Sequence, residues 1–122
     1  MSEEPDISST TDRVRQLLSR ILESATFPGS QELRAQIPFV KVIGGPITML
    51  DLTVEAAPPS AARKGPIPIR AFVRRGSGEA TGELLVWVEN GHLCGLEFAW
   101  LTDEQPATLP SPDDIQIERS PT

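Results

Sequence analysis

The sequence is poor in residues that many recognition and catalytic surfaces depend on. Its 122 residues include no tyrosine, one histidine (His92) and one cysteine (Cys94). The absence of tyrosine is unusual for a binding surface built on aromatic anchors. A single cysteine excludes an internal disulfide framework, and this cysteine usage favours a reducing compartment. We therefore expect a cytoplasmic protein held together by an apolar core.

Long apolar runs and a basic leader are also absent. The longest wholly apolar run, Leu84 to Val88, has five residues, whereas a membrane-spanning helix needs about 20. Residues 1–6 are acidic, and no basic region leads into an apolar segment, so no signal-peptide pattern is present. The sequence therefore predicts no membrane association.

The negative net charge of −6 is concentrated at the two ends. Residues 13–101 carry ten basic and eight acidic residues, a balance of +2. The ends are rich in Ser, Thr and Pro, as is typical of solvated tails. We expect a disordered acidic tail over residues 1–9, a single domain over 10–101, and a Pro-rich acidic C-terminal tail over 102–122. Leu109 and Ile115 are the tail residues able to dock locally.

Two helices are predicted before any strand. Apolar residues recur at helical spacing from Val14 to Ala25, which indicates one buried helix face. Residues 9–12 (Ser-Thr-Thr-Asp) provide the N-cap of this helix. Ser30 caps a second, short helix that runs through Gln36, before the extended bias that a residue preceding proline shows.

After Pro38 the apolar pattern changes to a period of two residues. Segments 39–43, 47–55 and 67–74 are strand candidates, and 83–101 contains a hairpin about Asn90-Gly91. Asn-Gly supplies the two positive φ angles of a type I′ turn. The sequence predicts an α+β fold in which two N-terminal helices pack on a four- to five-stranded antiparallel meander sheet.

The hairpin has two apolar faces when its register is counted from a two-residue turn. One face holds Leu85, Trp87, Cys94, Leu96, Phe98 and Trp100. The other holds Leu84, Val86, Val88, Leu93, Gly95, Ala99 and Leu101, with Glu97. A one-residue bulge at the turn would exchange the facing sets and leave both apolar.

A sheet covered by helices on one face normally alternates apolar with polar residues. The second hairpin face therefore needs a cover: the tail, a folded-back strand or another chain. Because large exposed apolar patches are rare on monomers, we predict a homodimer or a protein partner. The predicted interface is formed by Leu84, Val86, Val88, Leu93, Ala99 and Leu101.

One candidate chemical cluster lies beside the turn. In the same register Glu89 pairs with His92 and Trp87 with Cys94, which brings a carboxylate, an imidazole and a thiol together. A Cys-His nucleophile pair and an incomplete metal site are the functional interpretations. The structural interpretation is a polar pair beside an exposed turn and a small buried thiol. We favour the latter, and the sequence predicts no cofactor and no metal.

A second candidate is the basic strand face that carries Arg70, Phe72 and Arg74. Such a face can hold phosphate oxygens while an aromatic ring stacks on a base. Nucleic-acid binders, however, usually carry a strong positive footprint, and this chain is acidic. We interpret these arginines as a solvated strand face, with an acidic protein partner as the next possibility.

Short segments across residues 25–115 resemble a family of small uncharacterised bacterial proteins, seen chiefly in actinobacteria. The resembling segments are Phe27-Pro28-Gly29, Glu32-Leu33-Arg34, Leu50 to Val54, Gly82 to Val86, Asn90 to Leu93 with Leu96-Glu97, and Leu109 to Asp113. Members often carry a cysteine-glycine-rich segment where this chain has Gly44 to Thr48, so no thiol or metal role is expected of that loop. The resemblance implies the fold and a bacterial cytoplasmic setting, and no activity.

Two classes of function therefore stay open. The first is a non-catalytic protein-interaction or self-associating module, such as an immunity or accessory protein of a larger bacterial system. The second is a small ligand-binding or enzymatic domain that uses His92, Cys94 and Glu89, or the face of Arg70 and Arg74. The two-sided apolar hairpin favours the first class.

Overall fold

The computed structural model describes residues 7–76 and 78–119. Within these residues the chain forms two α-helices, two short 3-10 segments and seven strands. The helices are α1 (Ile7–Leu22) and α2 (Ser30–Gln36), and the 3-10 segments are Ile37–Phe39 and Pro112–Asp114. The strands are β1 (Val40–Gly44), β2 (Met49–Val54), β3 (Gly65–Pro66), β4 (Ile69–Arg74), β5 (Ala80–Glu89), β6 (His92–Trp100) and β7 (Ile115–Arg119).

Helix α1 buries the apolar face that its sequence spacing predicts. Its buried side chains are all at most 1% exposed and belong to one core cluster: Val14, Leu17, Leu18, Ile21 and Leu22. The helix begins at Ile7, so residues 9–12 lie inside it and do not form the expected N-cap. Thr11 is buried, and its hydroxyl accepts a hydrogen bond from the backbone N–H of Val42 at 3.2 Å. The predicted cap residue thus joins the helix to the sheet.

The strands form one antiparallel sheet, which confirms the α+β class. Their order is β1-β2-β6-β5-β4-β7, and the short β3 also pairs with β5. The structure has more strands than the four or five expected, and the sheet is not a simple meander. Strand β2 pairs with β6, and the chain between them crosses to the far side of β5 before it returns. The pair β2–β6, inside the sheet, therefore joins segments that are distant in the sequence.

The hairpin turns at Asn90-Gly91 as predicted, but its register shifts three residues later. Asn90 has a φ of 53° and Gly91 a φ of 78°, as a type I′ turn requires. Glu89 pairs with His92, whereas Trp87 pairs with Gly95 and not with the expected Cys94. Cys94 is the extra residue of a β-bulge, which reverses the facing of every later residue in β6.

The bulge determines which side chains of β6 face the core and which face away from it. Leu96 and Phe98 turn towards the face that already holds Leu84 and Val86, and all four are at most 5% exposed. Without the extra residue, Glu97 would take a place on that buried face. Burying an unpaired carboxylate is costly. The bulge thus places Glu97 on the opposite, helix-free side of the sheet.

A buried amide fixes the long loop after β2 against the hairpin turn. Gln36, fully buried at the end of α2, donates through Nε2 to the carbonyl oxygens of Pro58 (3.0 Å) and Gly91 (2.8 Å). Its Oε1 accepts from the backbone N–H of Leu93 at 3.0 Å. Ser60 adds a bond from its N–H to the Gly91 carbonyl at 2.7 Å. The loop and the turn are therefore held as one unit.

The segment expected to be a C-terminal tail contributes to the folded domain. Strand β7 pairs with β4 along its whole length, and Ile115 is 3% exposed. Leu109 packs against the core cluster. The alternation of Ile115 and Ile117 with polar residues allows an edge strand to form despite the neighbouring prolines. Most of the predicted N-terminal tail, residues 1–6, lies outside the described residues, as do residues 120–122.

Helix α1 also contacts both edges of the sheet. Arg15 donates through Nε to the Val40 carbonyl of β1 at 3.0 Å, and Arg20 donates through Nη2 to the Ile115 carbonyl of β7 at 3.0 Å. Together with the Thr11 bond, these contacts show that side chains of α1 form hydrogen bonds with backbone groups of both edge strands. Such cover reduces pairing with strands of other molecules.

Candidate functional site

The sheet face opposite the two helices is the candidate site, and we call it the open face. It is formed by the outward side chains of β1, β2, β4, β5, β6 and β7. Their alternation with buried residues defines the face, because successive side chains of a strand point to opposite sides. The open-face residues are Lys41, Met49, Asp51, Thr53, Arg70, Phe72, Arg74, Glu83, Leu85, Trp87, Glu89, Cys94, Gly95, Glu97, Ala99, Gln116 and Glu118.

The strand register places these side chains in rows across the sheet. Met49, Glu97 and Leu85 form one row. Asp51, Gly95 and Trp87 form the adjacent row. Side chains directly opposite one another on paired strands lie close enough to touch. The centre of the open face therefore combines three apolar side chains with two carboxylates.

Trp87 and Glu97 are held in place by a direct hydrogen bond. The indole Nε1 of Trp87 donates to Oε1 of Glu97 over 3.1 Å. The two residues occupy diagonal positions in adjacent rows. A bond from a neutral donor leaves the negative charge of the carboxylate uncompensated. Glu97 is thus a positioned charge on the open face.

Gly95 leaves a gap that Met49 partly fills. A Cβ atom at Gly95 would lie 3.3 Å from Cε of Met49 and 3.5 Å from Cβ of Trp87. The methionine methyl group therefore sits over the glycine and beside the tryptophan. Met49 is 38% exposed, and methionine adapts its shape readily to different partners. Met49, Leu85 and Trp87 form an apolar strip in which Met49 is exposed and adaptable, while Leu85 and Trp87 are half-buried.

The two arginines predicted as candidates, Arg70 and Arg74, contact different partners. Arg70 pairs with Glu83, with Nη2 3.1 Å from Oε1, and its guanidinium lies 4.8 Å from the ring centroid of Phe72. The hydrogen bond and charge of Glu83 raise the pKa of Arg70 above its usual value. Arg70 is thus already neutralised by its own chain.

Arg74 lies at the other end of β4 and does not extend this pair. Its Nη1 donates to the Gly78 carbonyl at 3.3 Å, and its buried Nε has no partner among the described residues. It lines a cleft of about 200 Å³ with Asp113 and Asp114. Small-molecule sites are usually larger, at about 300–1,000 Å³. Arg70 and Arg74 lie on the same side of β4, but their guanidinium groups contact different partners.

The cluster at the hairpin turn does not form a reactive pair. The Nε2 of His92 lies 3.0 Å from the Ala57 carbonyl oxygen, so this nitrogen carries the proton. Burial raises the pKa of the Cys94 thiol, and the charges of Glu89 and Asp51 raise it further. Glu89 itself pairs with Lys64 at 3.5 Å. A nucleophilic cysteine needs the opposite shift, towards a lower pKa.

The described residues also contain no group of three or more His, Cys, Asp or Glu side chains able to hold a metal ion. Glu89 and His92 lie opposite each other in the strand register, as expected. Their side chains nevertheless contact different groups, Lys64 for Glu89 and the Ala57 carbonyl for His92. Cys94 is half-buried and not fully buried as expected, and the charged partner of Glu89 is Lys64.

The predicted interface residues lie in two different environments. Leu84, Val86, Val88 and Leu93 are each 1% exposed and belong to the core cluster that also contains side chains of α1 and α2. The hairpin face that these four residues form is therefore covered by other core residues of the same chain. Leu101 is 65% exposed just beyond β6, and Ala99 is half-buried on the open face. Of the six residues, these two remain accessible.

Sequence reasoning did not single out the residues at the centre of the open face. Met49 belongs to a strand segment with ordinary alternation, and counting from the turn places Gly95 and Glu97 on the hairpin face of Leu84 and Val86. One signal was present in the sequence: a glutamate on a face of leucines and valines conflicts with burial. That conflict indicates a register shift between the turn and Glu97.

Comparisons of the chain with protein-family models, with curated proteins and with solved structures found no match. Neither described helix has both the length and the apolar character required to cross a membrane. The function is therefore inferred from the geometry of the open face.

Proposed function

We propose that the protein is a non-catalytic protein-interaction module and that the open face binds the partner chain. The observation that carries this proposal is the apolar strip of exposed Met49 and half-buried Leu85 and Trp87 on the side of the sheet opposite both helices. Apolar and aromatic side chains at the centre of a patch provide most of the free energy of a protein interface.

The chemistry of the remaining candidates supports a binding role over an enzymatic one. The Cys94 thiol has a raised pKa, which reduces its nucleophilic form near neutral pH. His92 donates to a backbone carbonyl, and Arg70 is paired with Glu83. Catalytic groups are instead expected to be activated by a neighbouring base or a lowered pKa.

We infer further that this module works in a bacterial cytoplasm, as an immunity or accessory protein of a larger system. The single cysteine and the family resemblance motivate this setting. The occupant of the open face is either a second copy of the chain, which gives a homodimer, or a different protein.

The test compares two pairs of apolar residues that lie outside the core cluster. Met49→Ser with Leu85→Ser changes the open face, whereas Phe39→Ser with Trp100→Ser changes positions outside it that are 46% and 41% exposed. Each protein is measured by light scattering for self-association and used as bait in a lysate of its own cells. Circular dichroism checks the fold, and Met49→Ser alone serves if the double variant unfolds.

We expect the wild type and the Phe39/Trp100 variant to retain the dimer or the partner, and the open-face variant to lose it. A monomer that recovers no protein contradicts the proposal. Equal recovery by both double variants contradicts the assignment to the open face.

A further inference from the structure

The three strands at the centre of the open face carry charge of one sign only. Strands β2, β5 and β6 contain four carboxylates and neither lysine nor arginine: Asp51, Glu83, Glu89 and Glu97. All four lie on the open face. Arg70 compensates Glu83, and Lys64 lies near Glu89. In the described part of the chain, Asp51 and Glu97 form no ion pair.

The uncompensated charges lie directly beside the apolar strip. Glu97 stands between Met49 and Leu85 in one row, and Asp51 is in the next row with Trp87. Burial raises the pKa of the Cys94 thiol on this face, and the charges of Glu89 and Asp51 raise it further. A ligand that covers the strip therefore desolvates negative groups, and only a cationic ligand compensates them.

Lysine and arginine side chains match this surface in both of their parts. Their methylene stems can cover Met49 and Leu85, while the cationic head reaches the Glu97 carboxylate. A cation near the indole of Trp87 gains a further electrostatic attraction. A purely aliphatic ligand would leave both carboxylates without a counterion.

A second copy of the chain fits this surface less well. When two identical faces meet around a two-fold axis, the same patch contacts itself. The centre of the contact would then hold Asp51 and Glu97 from both copies. Like charges brought together in an interface repel one another and weaken the contact. This repulsion favours a different molecule with the opposite charge.

We propose that the open face binds a segment of another protein in which lysine or arginine residues alternate with aliphatic ones. This inference rests on the proposed function and specifies its partner. Asp51 and Glu97 hold the cationic residues, and the apolar strip holds the aliphatic residues.

The experiment selects binders from a library of random peptides displayed on phage, with the full-length protein as bait. The same selection is repeated with Asp51→Asn and Glu97→Gln combined. The matched control combines Asp12→Asn with Glu32→Gln, which makes the same charge change on the exposed sides of α1 and α2. Glutamine at position 97 retains an oxygen that can accept the Trp87 bond.

We expect peptides selected by the wild type to be enriched in lysine and arginine over aspartate and glutamate. Synthetic copies should bind the Asp51/Glu97 variant about tenfold more weakly, which corresponds to the loss of one hydrogen bond between charged groups. The Asp12/Glu32 variant should bind them as the wild type does. The wild-type affinity should also fall as salt increases.

The outcomes separate this inference from the proposed function. Peptides without basic enrichment, or equal binding by both charge variants, overturn the inference while the open face remains a binding site. Self-association that is lost with Met49→Ser and Leu85→Ser also overturns it in favour of a homodimer. A selection that yields no peptide, together with a monomeric bait, contradicts both.

Discussion

Replacing Gln36 by methionine should destabilise the protein by about 2 kcal/mol. The amide of Gln36 makes three hydrogen bonds to backbone groups. Its loss leaves the N–H of Leu93, a residue that is 1% exposed, without an acceptor. An unsatisfied buried donor costs about 1–3 kcal/mol. The Gly91 carbonyl keeps its bond from Ser60, and Pro58 is exposed, so its carbonyl can bind water.

Methionine is the informative substitution because its unbranched chain is close in length to that of glutamine. It fills the same space, so the change in free energy reports mainly the lost hydrogen bonds. The matched control is Gln31→Met, at an exposed position of the same helix. A surface substitution of this kind should alter stability by no more than about 0.5 kcal/mol.

The assay is urea unfolding followed by the fluorescence of Trp87 and Trp100. With a slope of about 2 kcal/mol per molar urea, the midpoint of the Gln36→Met protein should fall by about 1 M. The midpoint of the Gln31→Met protein should stay close to that of the wild type. Equal midpoints for the two variants would show that the loop and the turn do not depend on the Gln36 amide.

Two further predictions concern the hairpin. Gly91→Ala should destabilise the protein by about 2 kcal/mol more than Gly76→Ala, measured by the same urea unfolding. Both glycines have positive φ angles, but only at Gly91 would the Cβ lie 2.6 Å from the Ser60 carbonyl oxygen; equal losses would show that the loop yields. Near neutral pH, Ellman's reagent should modify Cys94 more slowly in the native protein than in urea, because burial and the charges of Glu89 and Asp51 raise its pKa. An equal or faster native rate would refute this.

The sequence predicts the local elements better than their arrangement. The spacing of Val14 to Leu22 identifies the buried side of α1, and Asn90-Gly91 identifies the hairpin turn, because both signals involve residues close together in the chain. The pairing of β2 with β6 depends on contacts across more than 40 residues, as between Leu50 and Leu96. No local pattern encodes such a contact.

The bulge at Cys94 and strand β7 illustrate two different limits. With or without the extra residue, both faces of β6 carry apolar side chains. Counting from the turn therefore gave no reason to expect a bulge. Only the position of Glu97 argued for it. Strand β7 was hidden by the prolines and acidic residues around it, although Ile115 and Ile117 alternate as an edge strand requires. The bulge and β7 together determine which residues belong to the open face, so the sequence alone did not identify that face.

The contacts of α1 with both sheet edges bear on how the protein folds. The bond from Arg20 to Ile115 joins residues 95 positions apart. Folds dominated by such distant contacts form slowly, typically in milliseconds to seconds. Until α1 has reached both β1 and β7, the sheet edges it covers are available to other chains. Aggregation should therefore compete with folding before the helix docks.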